Sequence, residues 1–139
     1  FGILYMGDSG SYTLSLFFGV FLINFSNLNS SISPYFIVIL LWYPCFELLF
    51  SMIRRSSNEN KTYEPDTNHL HHLIYRKLKY NLKFKNNLSV HFSSTLLINS
   101  YNLICFIVST KYIYNSKILV FLIILNIFMY VSTYNLLKK

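Results

Sequence analysis

Two polar motifs hold most of the side chains of this sequence that can do chemistry. The first is Gly7-Asp8-Ser9-Gly10-Ser11 and the second is Asp66-Thr67-Asn68-His69-Leu70-His71-His72. A carboxylate such as Asp8 suits Mg2+, which prefers oxygen ligands and often binds one or two carboxylates together with substrate phosphates. Free amides at a following helix start, beginning with Ser9 and Gly10, can face an anion. Three imidazoles within four residues form a cluster of ionisable groups, and such clusters concentrate at functional sites. Glu47 is a third candidate, the one acid inside an apolar run, and an ionisable group there points to function or to a pairing partner.

Each motif also has a plainer reading. Asp8 and Ser9 suit a helix N-cap. The histidines suit a solvated loop or a zinc site, but no cysteine lies near them. A helix starting at Asp66 or Thr67 would set His69 and His72 on one face and turn His71 away. His91 stands apart in sequence and reads as ordinary. The Gly-Asp-Ser-Gly string is also found in serine proteases, yet no His and Asp lie in triad context here and an apolar helix follows at once. It is not a nucleophile elbow either, because Ser11 stands where Gly is required.

The elements around these motifs are apolar. Charged residues make up 12% of the 139 residues, against about 25% in soluble domains. Phe numbers 13 and Tyr 12, more apolar and aromatic surface than a soluble fold of this size can hide. The expected fold class is all-α, a polytopic membrane helix bundle with four transmembrane helices at about residues 11–29, 34–54, 93–111 and 117–137. A polar loop over residues 55–92 joins the second to the third. The second run has the roughly 20 residues needed to cross about 30 Å of hydrocarbon, with Pro44 set to kink it. Asn99 and Asn102, three apart, suit a helix–helix contact. Cys45 and Cys105 both fall in apolar runs and make no disulfide framework.

Of the 12 Lys and Arg residues, eight lie in the 55–92 loop and its Arg54-Arg55 border, and Lys138 and Lys139 close the chain. Lys111 and Lys117 are left for the other side. This bias puts the loop, the C-terminus and the Gly7–Ser11 motif in the cytoplasm. The net charge of +7 is then that of cytoplasmic membrane loops, and no nucleic acid is expected as a partner. Four crossings make the two motifs neighbours on one membrane face. A start on Phe1 without Met suggests a fragment of a longer protein.

Taken together, Met6-Gly7-Asp8-Ser9-Gly10-Ser11 before a membrane helix, Pro44-Cys45-Phe46-Glu47, Arg54-Arg55, and Pro65 to Leu73 resemble the C-terminal part of the polyprenyl-phosphate N-acetylhexosamine-1-phosphate transferases. The resemblance runs from about residue 3 to residue 75, and the Asn-His-Leu-His-His form is closer to the GlcNAc-1-phosphate branch. It implies an integral protein of the bacterial cytoplasmic membrane that transfers a sugar 1-phosphate from a UDP-sugar to polyprenyl phosphate and releases UMP, with Mg2+ as cofactor, for cell-envelope polysaccharide synthesis. It implies Asp8 as metal-binding or catalytic aspartate and His69, His71 and His72 as catalytic residues. Ser9, Gly10, Asn68, Arg54 and Arg55 are expected around the substrate, with Glu47 and Asp66 as further candidates. Glu47 stands where the family usually has Asp. The family's upstream aspartate pair is absent, so these 139 residues alone are expected to be inactive. Two other readings are a non-catalytic membrane subunit and a metal transporter using the histidines.

Overall fold

The computed structural model of the chain describes residues 7–56, 68–82 and 87–138. They form six helices: α1 (Gly7–Leu28), α2 (Pro34–Leu40), α3 (Trp42–Ser56), α4 (Leu70–Leu82), α5 (Asn87–Lys111) and α6 (Ser116–Lys138). No strand occurs among the described residues. Helices α1, α5 and α6 are each long and apolar enough to cross a membrane, and α2 with α3 makes a fourth, broken span bent by 69°. The protein is an all-α membrane helix bundle, as its hydropathy led us to expect.

The break has a local cause. Proline has no N–H, and its ring clashes with the carbonyl four residues earlier. For Pro44 that carbonyl belongs to Leu40, where α2 ends. The Leu41 N–H still reaches the Ile37 carbonyl at 3.2 Å, and the ladder resumes with the Cys45 N–H donating to the Leu41 carbonyl. The kink expected within one helix is therefore a sharp joint, lying a turn ahead of the proline.

Helix α1 begins earlier than expected and takes in the whole Gly-Asp-Ser-Gly-Ser motif. Gly7 has φ +65°, a backbone angle that glycine adopts without the penalty a Cβ brings. The hydroxyls that follow fold back on helix carbonyls: Ser11 Oγ donates to Asp8 O at 2.8 Å, Thr13 Oγ1 to Ser9 O at 2.7 Å and Ser15 Oγ to Ser11 O at 2.7 Å. Such bonds satisfy the hydroxyls inside the helix, so the motif continues into the span without a turn. Leu22 alone on α1 is buried, and side chains such as Phe17 point outward.

The expected 55–92 loop carries structure of its own. Helix α4 occupies residues 70–82, and α5 starts at Asn87, a turn and a half before the expected 93. The reason is amphipathic spacing: Leu70, Leu73 and Ile74 recur at helical intervals and pack on the bundle, while Arg76, Lys77 and Lys79 face outward.

Two clusters hold the helices together. At one end Phe36, Ile39 and Leu119 are buried, with Phe25, Ile113 and Leu122 against them. There the Ser33 N–H donates to the Ile113 carbonyl at 3.0 Å and the Ser33 and Ser116 hydroxyls meet at 2.9 Å. At the other end Trp42, Leu70, Leu73, Tyr130 and Tyr134 form the second cluster. Edge-on ring pairs knit it, Phe46 with Tyr130 at 5.0 Å and Phe50 with Tyr134 at 4.8 Å, a geometry aromatic quadrupoles favour.

Between the clusters, α5 and α6 are joined by a polar knot. Asn126, almost fully buried, accepts from the Tyr101 hydroxyl at 2.5 Å and from Cys105 Sγ at 3.1 Å, and its amide donates to Leu122 O at 2.8 Å. The helix contact expected of Asn99 and Asn102 is thus made chiefly by Asn126. Asn99 faces a cavity, and the Asn102 Oδ1 is buried with no hydrogen-bond partner among the described residues.

Candidate functional site

Glu47 is the centre on which the histidine motif is built. It projects from the middle of α3, and its Oε1 accepts from the backbone N–H of Leu70 at 2.9 Å. Leu70 opens α4, so the carboxylate satisfies one of the donors that a helix start leaves without an internal partner, and its charge suits that end of the helix dipole. The same oxygen lies 3.1 Å from His69 Nδ1. A carboxylate accepts, so the His69 ring donates through Nδ1, and in the neutral ring the lone pair is on Nε2. Oε2 accepts from the Tyr130 hydroxyl of α6 at 2.5 Å. One side chain thereby ties α3, the start of α4 and α6 together.

This arrangement changes the expected geometry of the motif. Helix α4 starts after His69, whose carbonyl accepts the N–H groups of His72 and Leu73 at 3.0 and 3.1 Å. With His69 outside the helix, the three rings converge. His71 and His72 lie 4.2 Å apart between centroids, and His69 stacks on His71 at 5.6 Å. His71 therefore does not turn away from the other two, as a helix starting at Asp66 or Thr67 would require. Its pKa is lowered from the ordinary histidine value, first by partial desolvation of the packed ring and then by the neighbouring His72 and His69, with Glu47 acting the other way. Asp66 lies outside the described residues.

His71 and His72 open on a cavity of about 420 Å3 between α4 and α5. Its far wall includes His91, Thr95 and Asn99 of α5. His91 is thus part of the same site, its ring stacked on Tyr75 of α4 at 4.2 Å. Tyr43 and Ile98 line this cavity and also a second, apolar one of about 210 Å3 that reaches Trp42, Tyr101 and Tyr130.

The remaining candidates are spread around this end of the bundle. Arg54 lies over the Tyr134 ring at 5.8 Å, and Arg55 is half-buried on the last turn of α3. Asn68 Oδ1 accepts from Arg76 Nη2 at 2.9 Å, which fixes the approach to α4. Asp8, Ser9 and Gly10 lie in the first turn of α1, with Asp8 and Ser9 exposed. No contact among the described residues joins Asp8 to the histidines. Among the described residues no group of three His, Cys, Asp or Glu side chains is arranged to hold a metal ion. Imidazoles such as His71 and His72, which line the cavity, can donate to an anion or exchange a proton.

Tyr130 and His91 were not legible as site residues in the sequence. A signal for each was present. Asn126, Tyr130 and Tyr134 recur every four residues along α6, and all three are buried. His91, Thr95 and Asn99 repeat the same interval on α5.

No protein-family model matches the chain, and no solved structure matches it. A curated relative does. The chain is 34% identical over 74 residues to a protein of Bacillus subtilis (strain 168) described as a "probable undecaprenyl-phosphate N-acetylglucosaminyl 1-phosphate transferase". The match covers 51% of this chain and 20% of the relative, so the chain spans about a fifth of the length of that protein. Half of the chain is thus similar to part of a polyprenyl-phosphate N-acetylhexosamine-1-phosphate transferase, the superfamily its motifs resemble.

Proposed function

We propose that this chain is part of an enzyme that transfers a sugar 1-phosphate, GlcNAc-1-phosphate in the first instance, from a UDP-sugar to a polyprenyl phosphate in the membrane, releasing UMP. The observation that carries this reading is the Glu47 clamp. It holds His69 at the start of α4, where the three imidazoles converge and His71 and His72 line a cavity at the end of a membrane bundle, and the relative supplies the reaction class. Both substrates are phosphate anions that repel each other. Imidazoles at the cavity and the arginines on the last turn of α3 offer the donors and positive charge that bring such anions together. His69 is oriented through its Nδ1 contact with Glu47, and the rings that line the cavity, His71 and His72, belong to the side-chain type suited to proton transfer. The apolar cavity beside it suits the lipid side of the reaction.

Asp8 offers one carboxylate to a divalent cation such as Mg2+, and such an ion supplies charge neutralisation at transferring phosphoryl groups. The described residues bring no second carboxylate to Asp8, and on this reading their imidazoles and guanidinium groups supply phosphate contacts. The active face is the cytoplasmic one on this reading, as the Lys and Arg distribution favours.

The test uses the full-length protein in lipid nanodiscs with labelled UDP-GlcNAc and undecaprenyl phosphate. Label should pass into the lipid extract with release of UMP, and Asp8→Asn or His69→Ala should reduce the transfer at least a hundredfold. Absence of lipid-linked label from the wild-type protein, or near-normal transfer by both variants, would sink the reading. The 139 residues alone should transfer nothing.

A further inference from the structure

The cavity has two chemically different walls, and only one belongs to the histidine motif. From α4 come the imidazoles of His71 and His72. From α5 come His91, Thr95 and Asn99, spaced four apart and so aligned on one face of the helix. This stripe runs down a helix apolar enough to span a membrane, where polar side chains are costly unless they face a partner or a wet cavity. Thr95 and Asn99 are exposed, and the stripe is not buried in the packing between α5 and α6.

The hydrogen bonds on this wall define what it can accept. Thr95 Oγ1 and Ser94 Oγ both donate to the His91 carbonyl, each at 2.9 Å. Their protons are committed to the helix, which leaves the oxygens as acceptors toward the cavity. Asn99 offers both an acceptor and two donors. Among the described residues, none that line the cavity carries a carboxylate. Beyond His91, this wall offers neutral acceptors and one amide, which match hydroxyl and acetamido groups, while the imidazoles of α4 opposite match phosphate.

We propose that the His91–Thr95–Asn99 stripe of α5 is the sugar-reading wall of the site, binding the hydroxyl-bearing part of the substrate whose phosphate faces the histidines of α4. The proposal rests on the transferase reading and deepens it, by giving specificity among sugars to residues outside both motifs. His91 stacks on Tyr75 of α4 and so ties this wall to the opposite one. Thr95 and Asn99 make the polar contacts.

The experiment compares two UDP-N-acetylhexosamines that differ in the configuration of one hydroxyl, using the full-length protein in nanodiscs. A Thr95→Val/Asn99→Leu variant should raise the donor KM roughly tenfold, the scale of one or two lost hydrogen bonds. It should have a smaller effect on kcat and should alter the preference between the two donors. Inhibition by UMP, which carries no sugar, should be unchanged, and Thr95→Ser, which keeps the hydroxyl, should raise the donor KM less than Thr95→Val. Unaltered donor KM and preference in the double variant would overturn the proposal while leaving the transferase reading in place. Equal weakening of UMP and donor would also overturn it, because the wall would then be acting on the nucleotide. If the double variant does not fold, the Thr95→Val and Thr95→Ser pair decides the same point through the hydroxyl alone. Failure of the wild-type protein to make lipid-linked sugar would remove the transferase reading and this proposal with it.

Discussion

The Glu47 carboxylate meets the His69 ring at 3.1 Å across 22 positions of sequence and also caps the backbone N–H of Leu70. A half-buried acid partway along a membrane helix is thereby given three donors, and the histidine motif is given a fixed starting point.

Removing that charge should loosen the motif without emptying the site. Glu47→Gln keeps an acceptor for Leu70 but loses the charge that orients His69. Partners that orient functional groups in this way are worth roughly 10- to 100-fold in activity, and a fall of that size in initial transfer rate is expected. Glu47→Asp, a methylene shorter, should retain more activity than Glu47→Gln. A Glu47→Gln protein within twofold of wild type would show that the clamp does not serve the reaction.

Tyr130→Phe removes one hydroxyl from Glu47 and leaves the ring packed against Phe46 and Phe50. Its cost should be about 0.5–3 kcal/mol, spanning the values for hydrogen bonds between membrane helices and for those to charged groups. Thermal unfolding in detergent measures it. Equal stability of the two proteins would place the Glu47 charge on its other partners alone.

Asn126→Leu probes the knot between α5 and α6. It strands the Tyr101 hydroxyl and the Cys105 thiol, which both donate to Asn126. A loss of roughly 0.6–1.7 kcal/mol is expected from the measured range of such membrane interactions. The distance from the histidines predicts little change in donor KM, so a stability loss with intact KM is the expected pair of results.

The His71 shift has a definite sign. Its folded pKa lies below the ordinary value, so between the two values the unfolded chain binds more protons than the folded one. Stability is complete above the unfolded value of about 6.5 and is lost as pH falls through the folded pKa. Wild type should therefore lose more thermal stability between neutral pH and about pH 5 than His71→Gln. Parallel loss in the two proteins would assign the acid sensitivity to other groups.

Much of this architecture was legible in the residues themselves. Apolar runs of spanning length marked the helices, because hydrocarbon demands continuous internal hydrogen bonding and apolar side chains wherever the chain crosses. The Asp8 and histidine motifs were likewise visible, and their resemblance to the transferases agrees with the relative found. What the sequence could not supply was which side chains meet. The capping of Leu70 by Glu47 shifts the helix start past His69 and so brings His71 back toward its neighbours, a difference of a few residues that reverses a face. Pro44 announced a kink, but only the finished backbone placed it at Leu41 as a 69° joint. His91, Thr95 and Asn99 are unremarkable along the chain. They became one wall only when α4 folded across the start of α5, because a helical face has no meaning as a site until another element encloses it.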